Sequence, residues 1–135
     1  MPDDRQLAVR EIVAEWMRHA WSDMTIARMV ENDEIAPEII AFHAQQAVEK
    51  ALKALLVQRQ VEFTRTHIIG VLIVLCKESG YKIEENLEEA VTLSRFAIAS
   101  RYPGETDPIT RQEAKIAADL ANQVLNWVES QIEKK

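Results

Sequence analysis

A chain of 135 residues and 15.4 kDa holds one ordinary domain, residues 1–135, and is too short for two independent cores. Apolar residues at 47% and charged residues at 28% exclude a disordered chain, while 3 Gly and 4 Pro leave too little turn material for a sandwich or barrel. With 22 acidic against 16 basic side chains the net charge is −6, which disfavours broad, salt-dependent binding to RNA or DNA while leaving room for a local basic groove.

In chain order, the spacing predicts a first helix from about Asp4 to Val30. Its Val9, Ile12, Val13, Trp16, Met17, Ala20, Met24 and Ala27 recur at steps of three and four. Asp23 sits among these apolar neighbours, where it can pair with an Arg or Lys across a bundle. Trp16, Trp21 and Trp127 read as packing residues, although Trp21 falls off the main stripe. Glu31-Asn32-Asp33 breaks the pattern, and Pro37 suits the first turn of a second helix reaching about Gln60.

Thr66 can cap a third helix, His67 to Glu78, closed by Gly80. It contains the single cysteine, Cys76, at the end of an apolar run from Val71, so a buried, inert thiol is expected. One cysteine cannot form an internal disulfide, which makes a reducing cytoplasm the default compartment. A fourth helix covers about Asn86 to Ser100 and stops before Pro103. The loop Tyr102 to Pro108 precedes Thr110, which opens the last helix with Glu113 three residues on, a capping box. There Ala114, Ala117, Ala118, Ala121, Leu125, Val128 and Ile132 form a regular stripe.

No segment alternates with period two, and nothing repeats. The fold expected is all-α: an antiparallel up-and-down four-helix bundle with one additional short helix. No signal-like N-terminus and no apolar stretch of roughly 18 residues occurs, so no membrane contact is expected.

The second helix separates sharply on a helical wheel. Ile40, Ala44, Ala47, Val48, Ala51, Ala54 and Leu55 fill one arc of about 120°. Gln45, Gln46, Glu49, Lys53, Lys50 and His43 lie opposite. His43 and Lys50 are within about 20° of each other, two turns apart, at the border of the apolar arc. Ile39, Phe42 and Leu56 interrupt the polar side. They are candidates for a homodimer surface, with scattered exposed apolar residues as the plainer reading.

The run Phe42-His43-Ala44-Gln45-Gln46-Ala47-Val48-Glu49-Lys50-Ala51-Leu52-Lys53-Ala54-Leu55-Leu56 resembles the signature helix of HEPN domains, the "higher eukaryotes and prokaryotes nucleotide-binding" family. Arg65-Thr66-His67, then Ser94 to Ser100 followed by Arg101-Tyr102-Pro103-Gly104, continue the resemblance. Trp21-Ser22-Asp23-Met24 with Ala27 extends it towards the N-terminus. The resemblance implies a helical bundle over nearly the whole chain, a frequent homodimer, and one of several roles. Some relatives are metal-independent ribonuclease toxins, and some assist a minimal nucleotidyltransferase in toxin–antitoxin or resistance pairs.

The ribonuclease branch places Arg and His on one helix with four to six residues between them, Arg standing five to seven positions before His, for acid/base work and phosphate stabilisation. Here His19 is preceded at those positions by Ile12, Val13 and Ala14, His43 by Ala36, Pro37 and Glu38, and His67 by Gln60, Val61 and Glu62. None fits. The expectation is therefore a nucleotide-binding accessory subunit of a separately encoded nucleotidyltransferase, more a binding module than an enzyme. A ribonuclease toxin and a purely structural dimer are the alternatives.

Candidate nucleotide-binding residues are His43, Lys50, His67, Arg101 and Tyr102, whose imidazole, ammonium, guanidinium and phenol groups can hold phosphate and stack a base. Each also has a plainer reading. His43 and Lys50 can form an ordinary helix border with Lys50 paired to Glu49 or Glu85, and His67 can make a loop-bridging hydrogen bond. Arg101 can be a cation at a helix C-terminus, and Tyr102 a packing residue. No metal spacing, phosphate loop or nucleophile elbow is present, and no cofactor is implied.

Overall fold

The computed structural model describes residues 1–99 and 108–134, and all their regular structure is helical. Helix α1 spans Asp4–Ala27, α2 Pro37–Gln58, α3 Ile69–Glu78, α4 Glu85–Glu88, α5 Phe96–Ala99 and α6 Arg111–Glu133, with a 3₁₀ segment at Glu89–Arg95 between α4 and α5. Three of the four long walls expected are continuous helices, α1, α2 and α6, with α3 packed against α2. The fourth wall is not one continuous helix: a turn of α4 passes into the 3₁₀ segment and then into α5.

The helix ends follow the local chemistry. Asp3 caps α1 by accepting from the Gln6 N–H at 2.8 Å, and Gln6 returns the bond to the Asp3 N–H at 2.8 Å. Thr110 and Glu113 make the same reciprocal box at the start of α6. Pro37 occupies the first turn of α2, where its missing N–H costs nothing. At the start of α3, the Thr66 hydroxyl accepts from Ile68 N–H, while Ile69 N–H is taken by the Ser94 hydroxyl at 2.8 Å. The helix therefore begins at Ile69, two residues after the expected His67.

The core is built around α2. The predicted apolar arc is fully buried, from Ile40 through Ala44, Ala47, Val48, Ala51 and Ala54 to Leu55. Small alanines let α1 approach closely, and α6 packs on an adjoining face. The 3₁₀ segment, α3 and α5 cover more of the helix. As a result the supposed outer side is not outer. Gln45, Glu49 and Lys53 are buried, and Leu56 is 0% exposed. Leu56 is thus a core residue, which removes it from the exposed dimer candidates. Phe42 is half-buried and Ile39 remains 39% exposed.

The turn between α1 and α2 is pinned by a residue distant in the chain. Arg111, the first residue of α6, donates to the carbonyls of Val30 at 2.8 Å and Ile35 at 2.9 Å. Among the described residues, no helix is long and apolar enough to cross a membrane.

Candidate functional site

The polar residues of α2 sort into two clusters, each organised by one carboxylate. In the first, Asp23 projects from α1 and is only 8% exposed. His43 Nδ1 lies 2.8 Å from its Oδ1, and Lys50 Nζ donates to its Oδ2 at 2.6 Å. Residues 43 and 50 share one edge of α2, two turns apart, so one carboxylate from the neighbouring helix reaches both. A carboxylate only accepts, so Nδ1 carries the proton and Nε2 is left for another partner. The expected pairing of Lys50 with Glu49 or Glu85 does not occur. The cation expected across the bundle from Asp23 is Lys50.

The second cluster surrounds Glu49, which is 3% exposed. Its carboxylate accepts from Lys53 Nζ at 2.8 Å and from the side-chain amides of Gln45 and Gln46, each at 3.1 Å. His67 Nδ1 completes the set at 3.1 Å. Four donors compensate the cost of burying this charge. Lys53 Nζ also lies 5.6 Å from the Trp16 ring centre and 5.8 Å from that of Phe63. The His67 side chain is 54% exposed, with Nε2 as its free ring nitrogen. The loop-bridging hydrogen bond expected of His67 therefore exists, with Glu49 as its partner.

His43 and Lys50 are brought together, whereas His67 belongs to a separate carboxylate. Both lysines are balanced by a buried acid, so this surface is less cationic than its residue types suggest. Arg101 and Tyr102 lie outside the described residues.

Beside Lys50 a cleft of about 500 Å³ opens along α1. Ile12, Trp16 and His19 line it, with Glu11 and Glu15 at its rim. Sequence reasoning misses this wall because Ile12 and Trp16 keep the spacing of the core stripe. Ile12 is 49% exposed instead, since at its level α1 turns Val9 and Val13 to the core and leaves Ile12 on the side away from them. Two further reactive groups are buried. Cys76 is 0% exposed, and burial pushes its thiol up to about 12. Burial also raises the Tyr81 phenol, whose oxygen donates to Leu55 O at 3.0 Å. Among the described residues, no group of three or more His, Cys, Asp or Glu is placed to hold a metal ion.

Comparison with known proteins agrees with this architecture. The family profile of the HEPN domain matches residues 13–131. The chain belongs to the HEPN family. Two solved structures are similar at 31% identity. One is TT1696 from Thermus thermophilus, with a TM-score of 0.76, covering 87% of this chain and 96% of that one. The other is ST0689, an archaeal HEPN homologue, with a TM-score of 0.69 over 89% of this chain and 97% of that one. No curated protein matches the chain. The HEPN match begins at Val13, the first buried position of α1.

Proposed function

We propose that this HEPN chain is a nucleotide-binding accessory subunit that works with a separately encoded minimal nucleotidyltransferase, and that it acts as a homodimer. The observation that carries the nucleotide reading is the meeting of Lys50 with the cleft formed by Ile12, Trp16 and His19. An indole plane suits stacking by a base, and an ammonium suits phosphate. Glu11 and Glu15 at the rim suit ribose hydroxyls, which donate to carboxylates. His43, held by Asp23 beside Lys50, supplies a second nitrogen toward the phosphate. From the sequence, Arg101 and Tyr102 in the RYPG loop and His67 are the remaining candidates.

The ribonuclease alternative lacks comparable support. His43 and His67 each face a carboxylate, not an arginine. His19 does lie 3.3 Å from Arg18, but that arginine is its chain neighbour and is engaged by Glu15 at 2.7 Å.

Calorimetry with adenine and guanine nucleotides tests the reading, with and without the nucleotidyltransferase. Saturable heat is expected for the wild type, with affinity about tenfold weaker in Lys50→Ala and in Trp16→Ala, roughly 1.4 kcal/mol. Arg101→Ala is expected to lose about 1.5–3 kcal/mol as a charge-assisted contact disappears. Absence of heat with every nucleotide in both settings would reject nucleotide binding.

A further inference from the structure

The opposite flank of α1 carries a second and larger cleft, of about 540 Å³. It runs between α1 and the C-terminal part of α6, where the two helices touch each other little and both lean on α2. Val13 and Met17 form its floor, each 5% exposed, and Ile132 faces them from α6. Trp21, the indole that falls off the packing stripe, forms one end. Its Nε1 donates to Glu129 Oε1 at 2.8 Å across the gap, tying the two walls together. Arg28 lies 5.2 Å from the same ring, so this end is held on two sides.

Arg10 lies at the other end, eleven residues earlier on α1, about 16 Å along the helix axis. It makes no ion pair or side-chain hydrogen bond among the described residues, whereas Arg18 on the same wall is bound by Glu15. The acid that lines the cleft, Glu129, is already engaged by the indole. The remaining polar liner, Gln58, spends its amide on Tyr81 Oη and on the Gln131 carbonyl. An apolar trough therefore ends in one uncommitted cation.

We propose that this cleft binds a small amphipathic anion, with an apolar body over Val13, Met17 and Ile132 and a carboxylate or phosphate head on Arg10. The volume lies within the range of small-molecule pockets, and the apolar floor with few polar groups is the usual composition of such pockets. A guanidinium at the mouth selects an oxyanion head over a neutral one. The site is independent of the nucleotide reading, since it shares no lining residue with the cleft beside Lys50.

Octanoate, octyl phosphate and 1-octanol are the probes, titrated into the intact chain by calorimetry. Saturable binding of at least one anion is expected, at least tenfold tighter than octanol. Arg10→Gln should erase that preference while leaving octanol binding unchanged. Ala14→Trp should abolish binding of all three. Ala14 lines the cleft but is exposed, so the larger side chain fills the trough without entering the core, and circular dichroism should show unchanged helicity. No saturable binding of either anion overturns the proposal, as does anion binding that survives both substitutions. Equal affinity for octanol and the anions overturns the role of Arg10. Association with phosphatidylglycerol vesicles without binding of the free anions would assign the trough to a lipid surface and overturn the small-molecule site.

Discussion

Asp23 shows how much one side chain decides at this site. It is the common acceptor for His43 and Lys50, whose side chains are 24% and 26% exposed. Removing it leaves an ammonium and an imidazole only partly reached by water. Asp23→Ala is expected to lower the unfolding free energy by about 1–3 kcal/mol in urea titrations. Asp23→Ala combined with Lys50→Met should recover most of that, because the stranded charge is gone. A double variant no better than the single one would mean that Lys50 finds another partner. Cys76 gives a pH-dependent counterpart. Its thiol is raised from 9.0 to about 12, so the folded state holds its proton where the unfolded chain has lost it. The corresponding stability is present below pH 9 and lost as pH rises towards 12, at up to about 1.4 kcal/mol per pH unit. Cys76→Ala should flatten that alkaline decline, and wild-type Cys76 should react with a thiol reagent at pH 8 only as fast as the chain opens. The border position of His43 and Lys50 was legible in the sequence from wheel angle alone. The buried state of Glu49 and Lys53 was not, because a wheel shows which residues share a face but not how many neighbours cover the helix.

Helix ends show where the sequence was most readable. The expected stop at Gly80 is a paired-bond C-cap: Gly80 N–H donates to Lys77 O at 3.0 Å and Tyr81 N–H to Cys76 O at 3.1 Å. Gly80 has φ of +102°, and an added Cβ would lie 2.6 Å from Arg59 Nη1. Gly80→Ala should therefore cost about 1–2 kcal/mol. The same cap closes α2, with Gln60 N–H on Val57 O and Val61 N–H on Leu56 O, each at 2.9 Å. Gln60 sits there at φ +56° without being glycine. Gln60→Gly should stabilise the fold by about 0.5–1 kcal/mol, read as a higher urea midpoint at unchanged slope. At α6 the Glu113 carboxyl is held below its usual range, first by the Thr110 N–H and then by Arg95 and the Thr110 hydroxyl. A depressed carboxylate stabilises above its unfolded pKa, and the effect fades as pH falls through the lower folded value. Thr110→Ala should cost about 1 kcal/mol at pH 7 and less in acid. The fourth wall was less legible. Its apolar spacing suits a helix, but spacing does not distinguish a continuous α-helix from one interrupted by 3₁₀ turns.

At the scale of the molecule, an acidic chain buries its signature helix and leaves its partly exposed apolar side chains on the flanks. Ile39 and the half-buried Phe42 lie near the start of α2, and Ile12 at 49% exposure lies on α1 beside the Lys50 cleft. A two-fold axis through this α1–α2 face would set each patch against its own copy. Leu56 contributes nothing to that surface, since it already fills the core. The proposed dimer would therefore rest on fewer α2 residues than the wheel suggested and would need α1 to complete it. Full burial of Phe42, Ile39 and Ile12 would contribute at most about 1.5–3 kcal/mol per side chain before association entropy is subtracted. Phe42 is the residue to change, because its ring packs edge-on to His43, with centres 5.4 Å apart, at the junction of the apolar patch and the polar cluster. Phe42→Glu places a carboxylate where two copies would meet while leaving the buried arc of α2 intact. Light scattering at micromolar concentration should give a dimer mass near twice 15.4 kDa for the wild type and a shift towards monomer for Phe42→Glu, with helicity retained by circular dichroism. A monomeric wild type would refute the pairing, and a dimer indifferent to Phe42→Glu would place its interface on another face. Nucleotide titrations of the same variant then separate assembly from ligand. If each cleft works alone, monomeric Phe42→Glu binds like the wild type, whereas a groove shared by two copies loses affinity together with the dimer.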